Sequence, residues 1–241
     1  MQIVIPAKNE SRFLPDLLTS LTRQDYPLIR STKVFVADAA STDDTVALAL
    51  SFRPTLDIHI LPGGMPSVGR NRGARAGNAQ FTLFLDADVE LQDPTLIRRA
   101  LEAAQRRKFH CVTVDIQCKD GRPSDRWLYR GNNRMQRLSQ WFLPFGTGMF
   151  LLFQSARFHE LGGFSEDALF AEDYLLTKQV SPLRFAVLNG EVWTSNRRFQ
   201  RTGRLRMVTL FFWTLLNSNN RRHFQRDHGY WRPAAAKAAN S

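Results

Sequence analysis

Asp86 and Asp88 end an apolar run, "FTLFLD", in the order Phe84-Leu85-Asp86-Ala87-Asp88. Alternate residues of an extended segment point the same way, so both carboxylates face one side. Acids this close repel each other unless a positive group lies between or beside them. Paired carboxylates are hard oxygen ligands for Mg2+ or Mn2+. Such an ion keeps several waters and binds through one or two carboxylates plus substrate phosphates. The spacing therefore suits a nucleoside diphosphate held through a metal. A solvated turn at a strand end carries the same triplet, so the neighbouring residues must decide.

A second acidic pair, Glu172-Asp173 in "FAEDYLL", stands where a helix begins. Acids in a first turn favour the helix dipole, which is reason enough for their presence. The segment "TSNRRFQRTGRLR" (194–206) is dense in arginine. It reads either as a solvated basic loop or as a source of a cationic clamp, Arg197 or Arg198, on a diphosphate. The five histidines have no metal-site spacing and suggest no Ser-His-Asp arrangement. The glycines at 63–64 and 162–163 lack a nucleotide fingerprint and read as turns.

The elements that must position these groups alternate. "QIVIP", "KVFVAD", "LDIHIL" and "FTLFLD" read as strands. Between them lie a helix over 10–23, with leucines at helical spacing, one over "STDDTVALALSF" and a short one around 68–76. Ser41 or Thr42 can cap the second of these. Residues 94–107 form a further helix with Pro94 in its first turn. Such alternation predicts an α/β fold, a mostly parallel central sheet with helices on both faces. Ligands of such sheets sit beyond the carboxyl ends of the strands. Pro6 to Glu10, Asp38, and Asp86 with Asp88 should therefore converge on one edge. Beyond residue 108 the pattern loosens: a strand over "FHCVTVDIQC", a helix over 124–142, strands over "GTGMFLLF" and "RFAVL", and a helix start at "AEDYLLTKQV".

"IPAKNES" after the first strand, "ADAASTDDT" after the second and "VGRNRGARAG" before "FLDAD" resemble, in this order, the family 2 glycosyltransferases of the GT-A (Rossmann-like) fold. "GTGMFLLF", "ELGGFSED" and "AEDYLL" resemble that family's acceptor-side segments, so the resemblance runs over roughly residues 2–200. It implies a nucleotide-sugar site in which Pro6, Ala7 and Glu10 match the first nucleotide-binding segment. Asp38 matches the acid that contacts the base, usually uracil. Arg70 matches an arginine near the nucleotide, with Asn71 and Gly73 shaping its turn. Asp86, Ala87 and Asp88 match the D-x-D motif, with Asp88 as direct metal ligand and Asp86 near the ribose or the metal's waters. Ala39-Ala40 departs from the family's usual acid and glycine, which leaves the base preference open. On the acceptor side the resemblance implies Gly148, Glu172 and Arg198, with Asp173 as general base.

That chemistry is coherent. A sugar hydroxyl is a poor nucleophile at neutral pH, and a carboxylate within hydrogen-bond reach can take its proton. Metal charge stabilises the leaving nucleoside diphosphate without a proton. A base on one face and a metal on the other imply inversion. The Q-x-x-R-W pattern of processive synthases is absent, so transfer of a single sugar is expected.

The chain has 241 residues, 43% of them hydrophobic, enough for one core-bearing domain. We read residues 1–203 as that domain, with a nucleotide half (1–108) and an acceptor half (109–203). A basic, apolar helical extension (204–232) and a disordered tail (233–241) follow. Cys111 and Cys118 read as free thiols. No signal peptide is expected, because Met1 runs directly into a strand. No apolar run approaches the ~20 residues of a membrane span. With 33 basic against 22 acidic residues, the net charge of +11 draws polyanions. Arg126, Arg130 and Arg134 form one helical stripe, and "RLRMVTLFFWTLLNSNNRRHF" sets an apolar stretch between arginines. Both fit a packed helix with solvated ends, or a peripheral contact with the inner face of the plasma membrane by a cytoplasmic protein with a lipid-linked acceptor. Two rival functions stand beside the first. A nucleotidyltransferase would want a glycine-rich, basic loop after the first strand, where "PAKNES" stands instead. A nucleic-acid-binding protein would leave the strand-end acids unexplained, and nucleic acid is not expected as a partner.

Overall fold

The computed structural model describes residues 1–197 and 203–228. The expectations for Arg198 and for the 233–241 tail lie outside the described residues. Eight strands form one sheet: β1 (Gln2–Ala7), β2 (Lys33–Asp38), β3 (Asp57–Pro62), β4 (Phe81–Leu85), β5 (Val89–Glu90), β6 (Cys111–Cys118), β7 (Phe150–Gln154) and β8 (Phe185–Thr194). Their order across the sheet is β3-β2-β1-β4-β7-β6-β8-β5. The first four are mutually parallel, β7 runs against both its neighbours, and β6 and β8 are parallel. The parallel half behaves as its sequence predicts. Ile3, Val4 and Ile5 of β1 are fully buried, which requires cover on both faces.

That cover comes from two sides. α1 (Leu14–Thr22) buries Leu14, Leu17, Leu18 and Leu21, each worth roughly 1.5–3 kcal/mol relative to exposure. It shares one core with α2 (Thr45–Ser51) and α4 (Leu96–Arg107). On the other face α3 (Pro66–Ala76) lies against β1 so closely that a Cβ on Gly73 would meet Val4 Cγ1 at 2.3 Å. α6 (Ser155–Glu160) adds Phe158 to a packed set with Phe84, Phe153 and Phe164. Cys111 and Cys118 both lie on β6, buried and unpaired.

Several expectations are corrected. Ser41 and Thr42 do not cap α2: Ser41 Oγ accepts from Asn9 N–H, and Thr42 N–H donates to Asn9 Oδ1. The residues instead tie the loop after β1 to the loop after β2. "GTG" (146–148) is a turn before β7, since Gly146 and Gly148 N–H groups bond to Thr177 and Asp173 side chains. β8 extends well past "RFAVL". Its pairing with β6 jumps from Val114↔Leu188 to Asp115↔Glu191, a bulge at Gly190 (φ +144°) that hides the continuing strand from any period-two reading. Asn71 and Gly73 sit within α3, not in a turn.

Candidate functional site

The sheet register brings the expected strand ends together. Ala7 pairs with Asp38, and Asp38 with Pro62, so the carboxyl ends of β1, β2 and β3 are level. Gly63 closes over this edge: its N–H donates to Asp38 O at 2.6 Å, and a Cβ there would meet Asp38 C at 2.6 Å. The Asp38 carboxylate accepts Ser41 N–H through Oδ2 at 3.1 Å. Its Oδ1 is buried and has no hydrogen-bond partner among the described residues. A buried acceptor left in that state is costly, and is placed to receive a donor from a ligand.

Beyond β4, Asp86 and Asp88 answer the question of their missing positive partner with arginines. Arg70, on α3, donates through Nη2 to Asp86 Oδ1 at 2.5 Å and through Nη1 to Glu172 Oε1 at 2.6 Å. Its side chain is 4% exposed. The guanidinium lies under Gly148, where a Cβ would meet Nη2 at 2.3 Å, and over the ring of Phe164. Burial works against its charge, but the flanking acids outweigh it and hold the proton more firmly than usual. Asp88 is met by Arg197, at 3.2 Å from Nη2 to Oδ2. The same guanidinium makes a two-pronged bond to Glu10 at 2.8 and 2.9 Å. Burial, opposed by Arg197, raises the pKa of Glu10, and the charges of Asp88 and Asp86 raise it further.

Asp173 is on α7 (Glu172–Thr177), entered through Ala171 in the left-handed region (φ +53°). Asn9 and Ala40, in the loops after β1 and β2, are also left-handed. For residues with a Cβ this costs roughly 1–2 kcal/mol each, and such strain gathers at functional sites. Asp173 Oδ2 accepts Gly148 N–H and Oδ1 accepts Tyr174 N–H, both at 2.8 Å. Burial first, and then the Glu172 charge, push its pKa up to about 6, against the pull of Arg70 and the two backbone donors. A carboxylate poised there is ionised at neutral pH yet more basic than an ordinary aspartate.

Sequence reasoning missed how these parts are joined. Asn71 spans from α3 to the "GGF" turn, donating to Phe164 O at 2.8 Å and Glu166 Oε1 at 2.9 Å and accepting Phe164 N–H at 2.9 Å. Gly163 (φ +73°) lies directly against it. The Thr147 hydroxyl, between two glycines beside Asp173, has no partner among the described residues. No pattern in the sequence announces the Arg70 bridge. The only available signal was that "GTG" is a poor strand opening and a good close-approach loop.

Among the described residues no group of three or more His, Cys, Asp or Glu forms a ready metal cage. The donor set still fits a hydrated divalent ion. Glu10, Asp38, Asp86, Asp88, Glu172 and Asp173 supply six carboxylates at this edge, and among the described residues Arg70 and Arg197 bond to four of them. Carboxylates gathered this closely favour a cation beside them. A single carboxylate with phosphate oxygens and water suffices for Mg2+.

Comparison with known proteins follows the same line. The family described as Glycosyl transferase family 2 matches residues 2–162. The chain is 30% identical over 98 residues to the poly(ribitol-phosphate) beta-N-acetylglucosaminyltransferase TarS of Staphylococcus aureus, covering 39% of this chain and 17% of that protein. It is 22% identical over 207 residues to the 4,4'-diaponeurosporenoate glycosyltransferase of Staphylococcus haemolyticus, covering 83% of this chain and 52% of the relative. The chain thus spans about half or less of these relatives. Its fold is similar to that of S. aureus TarS 1-349 in complex with UDP, with a TM-score of 0.66, 20% identity, and coverage of 81% of this chain and 60% of that one. It is similar too to the mannosyltransferase PcManGT from Pyrobaculum calidifontis in complex with GDP-Man and Mn2+, with a TM-score of 0.67, 19% identity, and coverage of 89% and 64%. At these identities the structural likeness carries the GT-A fold alone.

Proposed function

The chain belongs to glycosyl transferase family 2, and from that premise we propose that it moves one sugar from a nucleoside diphosphate sugar to a hydroxyl acceptor, with inversion. The observation that carries this is Asp173. It is fixed by two backbone donors at 2.8 Å, raised to about 6, and joined through Glu172 and Arg70 to the acid at the end of β4. In this reading Asp173 accepts the acceptor hydroxyl proton as the oxygen bonds to the anomeric carbon. Gly148 and Tyr174 hold the carboxylate in place. Thr147 offers the acceptor a hydroxyl to bond.

On the donor side, the open Oδ1 of Asp38 suits a base carrying an imide N–H, which favours a uracil nucleotide. Pro6, Ala7 and the 63–64 loop wall the same pocket. Asp88 would hold a divalent cation together with the diphosphate, and Asp86, already bound by Arg70, would stay beside it. That ion, Mn2+ or Mg2+, supplies positive charge to the leaving diphosphate. Arg197 can exchange Glu10 and Asp88 for phosphate oxygens as a second clamp. Support for a nucleotide-sugar donor also comes from the complexes with UDP, UDP-GlcNAc and GDP-Man recorded for the similar structures.

The test is a panel of UDP-, GDP- and dTDP-sugars with Mn2+ or Mg2+, following nucleoside diphosphate release. Release from a UDP-sugar, with Asp88→Ala losing metal-dependent donor binding, is expected. Donor binding by Asp88→Ala equal to wild type would remove the metal assignment.

A further inference from the structure

A helix on a protein surface ordinarily turns its apolar face inward and its polar face to water. Two helices depart from this. α5 (Pro123–Ser139) is fastened to β6 by polar side chains: Asn133 and Gln136 donate to Ile116 O and Val114 O at 2.9 and 2.8 Å. Outward it presents Trp127, 70% exposed, and Leu138, and it ends in a turn with Trp141 and Phe142 77% and 71% exposed. α8 (Arg204–Leu216) uses Leu210 and Leu215 to pack on Phe170, Tyr174 and Phe224, while Thr214 is buried against His223. Its outward positions are Leu205, Phe212, Trp213 and Leu216, and Leu205 and Leu216 are about four-fifths exposed, at 79% and 81%. These recur at intervals of three, four and seven, so they form one apolar stripe facing water.

The two surfaces join at the acceptor side. Phe145, three residues beyond Phe142, packs into the cluster that also seats Leu210 and Leu215. Its ring lies 6.1 Å from that of Tyr174, the residue following Asp173. Arg126, Arg130 and Arg134 recur every four residues along α5 and are exposed. Arg206, Arg221 and Arg222 flank the α8 stripe.

We propose that this apolar, arginine-edged face, formed by α5 with its terminal turn and by the outer side of α8, docks on an anionic lipid bilayer. Exposed aromatics with flanking cations match the boundary between headgroups and acyl chains, where rings enter the apolar layer and arginines meet phosphate. The charge decides against a second copy of the chain, which would set arginine against arginine. No described helix is long and apolar enough to cross a membrane, so the contact is one of surface docking. The inference rests on the reading of Asp173 as acceptor base, for it makes the acceptor a molecule presented by the bilayer surface.

Sedimentation of the full chain with vesicles tests it. Wild type is expected to bind phosphatidylglycerol-containing vesicles at low salt and to leave phosphatidylcholine vesicles unbound. The pairs Trp141→Ser/Phe142→Ser and Phe212→Ser/Leu216→Ser, and the triple Arg126→Gln/Arg130→Gln/Arg134→Gln, should each lower binding by about tenfold or more. Tryptophan quenching of the unmodified protein by brominated phosphatidylglycerol gives a reading free of any folding defect in the variants, and clear quenching is expected. Absence of binding and quenching at low salt overturns the proposal, as does binding unchanged in all three variants. A concentration-dependent dimer dissolved by the serine pairs, without vesicle binding, assigns the face to a second copy instead and overturns it too. Calorimetric binding of a UDP-sugar with Mn2+, which needs no acceptor, separates the two claims. Donor binding without vesicle binding sinks the docking alone, and vesicle binding without donor binding sinks the proposed function alone.

Discussion

Two guanidiniums in this site do the same thing in different surroundings. Arg70 bridges Asp86 and Glu172, and Arg197 bridges Asp88 and Glu10. The first is 4% exposed under Gly148, and the second is 34% exposed over the ring of Phe13. A buried bridge cannot lose its centre without leaving charges stranded away from water, whereas an exposed one is replaceable by solvent or by ligand. In the proposed reading, the difference separates a fixed strut, which holds the acid at the end of β4 and α7 at one distance, from an exchangeable contact beside the proposed donor site.

The comparison can be broken by substitution. Arg70→Met should cost the most, about 3–5 kcal/mol of stability, because Asp86 and Glu172 are left buried and uncompensated. Urea denaturation measures it, and a loss below that of an exposed pair would make Arg70 a second exchangeable contact. Gly148→Ala should follow at roughly 1–3 kcal/mol, since its Cβ would press on the guanidinium at 2.3 Å. It should also reduce transfer, which is read from nucleoside diphosphate release. Arg197→Gln should cost less than Arg70→Met, because its guanidinium is 34% exposed and water can take its place, yet weaken donor binding severalfold by calorimetry. A large stability loss there would make the two bridges alike.

The sequence makes the donor edge legible and the joint between the halves illegible, for a physical reason. Pro6, Asp38, Asp86 and Asp88 follow apolar runs, and parallel strands bring their carboxyl ends to one edge by rule. The α/β fold and its helices on both faces follow from the same alternation. The Arg70–Glu172 bridge spans 102 residues and depends on how α3 and α7 pack, which local pattern does not encode. Asn71 looks like a turn residue, but Gly73 admits α3 so closely to Val4 that the helix carries it to the "GGF" turn. The β8 extension is masked by its bulge at Gly190. The outward apolar stripe of α8 shows in the sequence as a helix with an apolar middle, and only packing reveals which side faces water.

Asp173 tests the central claim. Its pKa is raised from the usual 3.8 to about 6, so the native state holds that proton more tightly than the unfolded chain. This group's contribution to stability therefore falls as pH rises from 3.8 to about 6. Activity should run the other way, because a base must be ionised. The measurement is the pH dependence of kcat/KM for nucleoside diphosphate release, beside donor affinity, in wild type and Asp173→Asn. The account predicts a wild-type rise that levels off above about 6, and an Asp173→Asn protein that binds donor normally but transfers about 10²–10⁴-fold more slowly. Full turnover by Asp173→Asn, with the same pH profile as wild type, would contradict it.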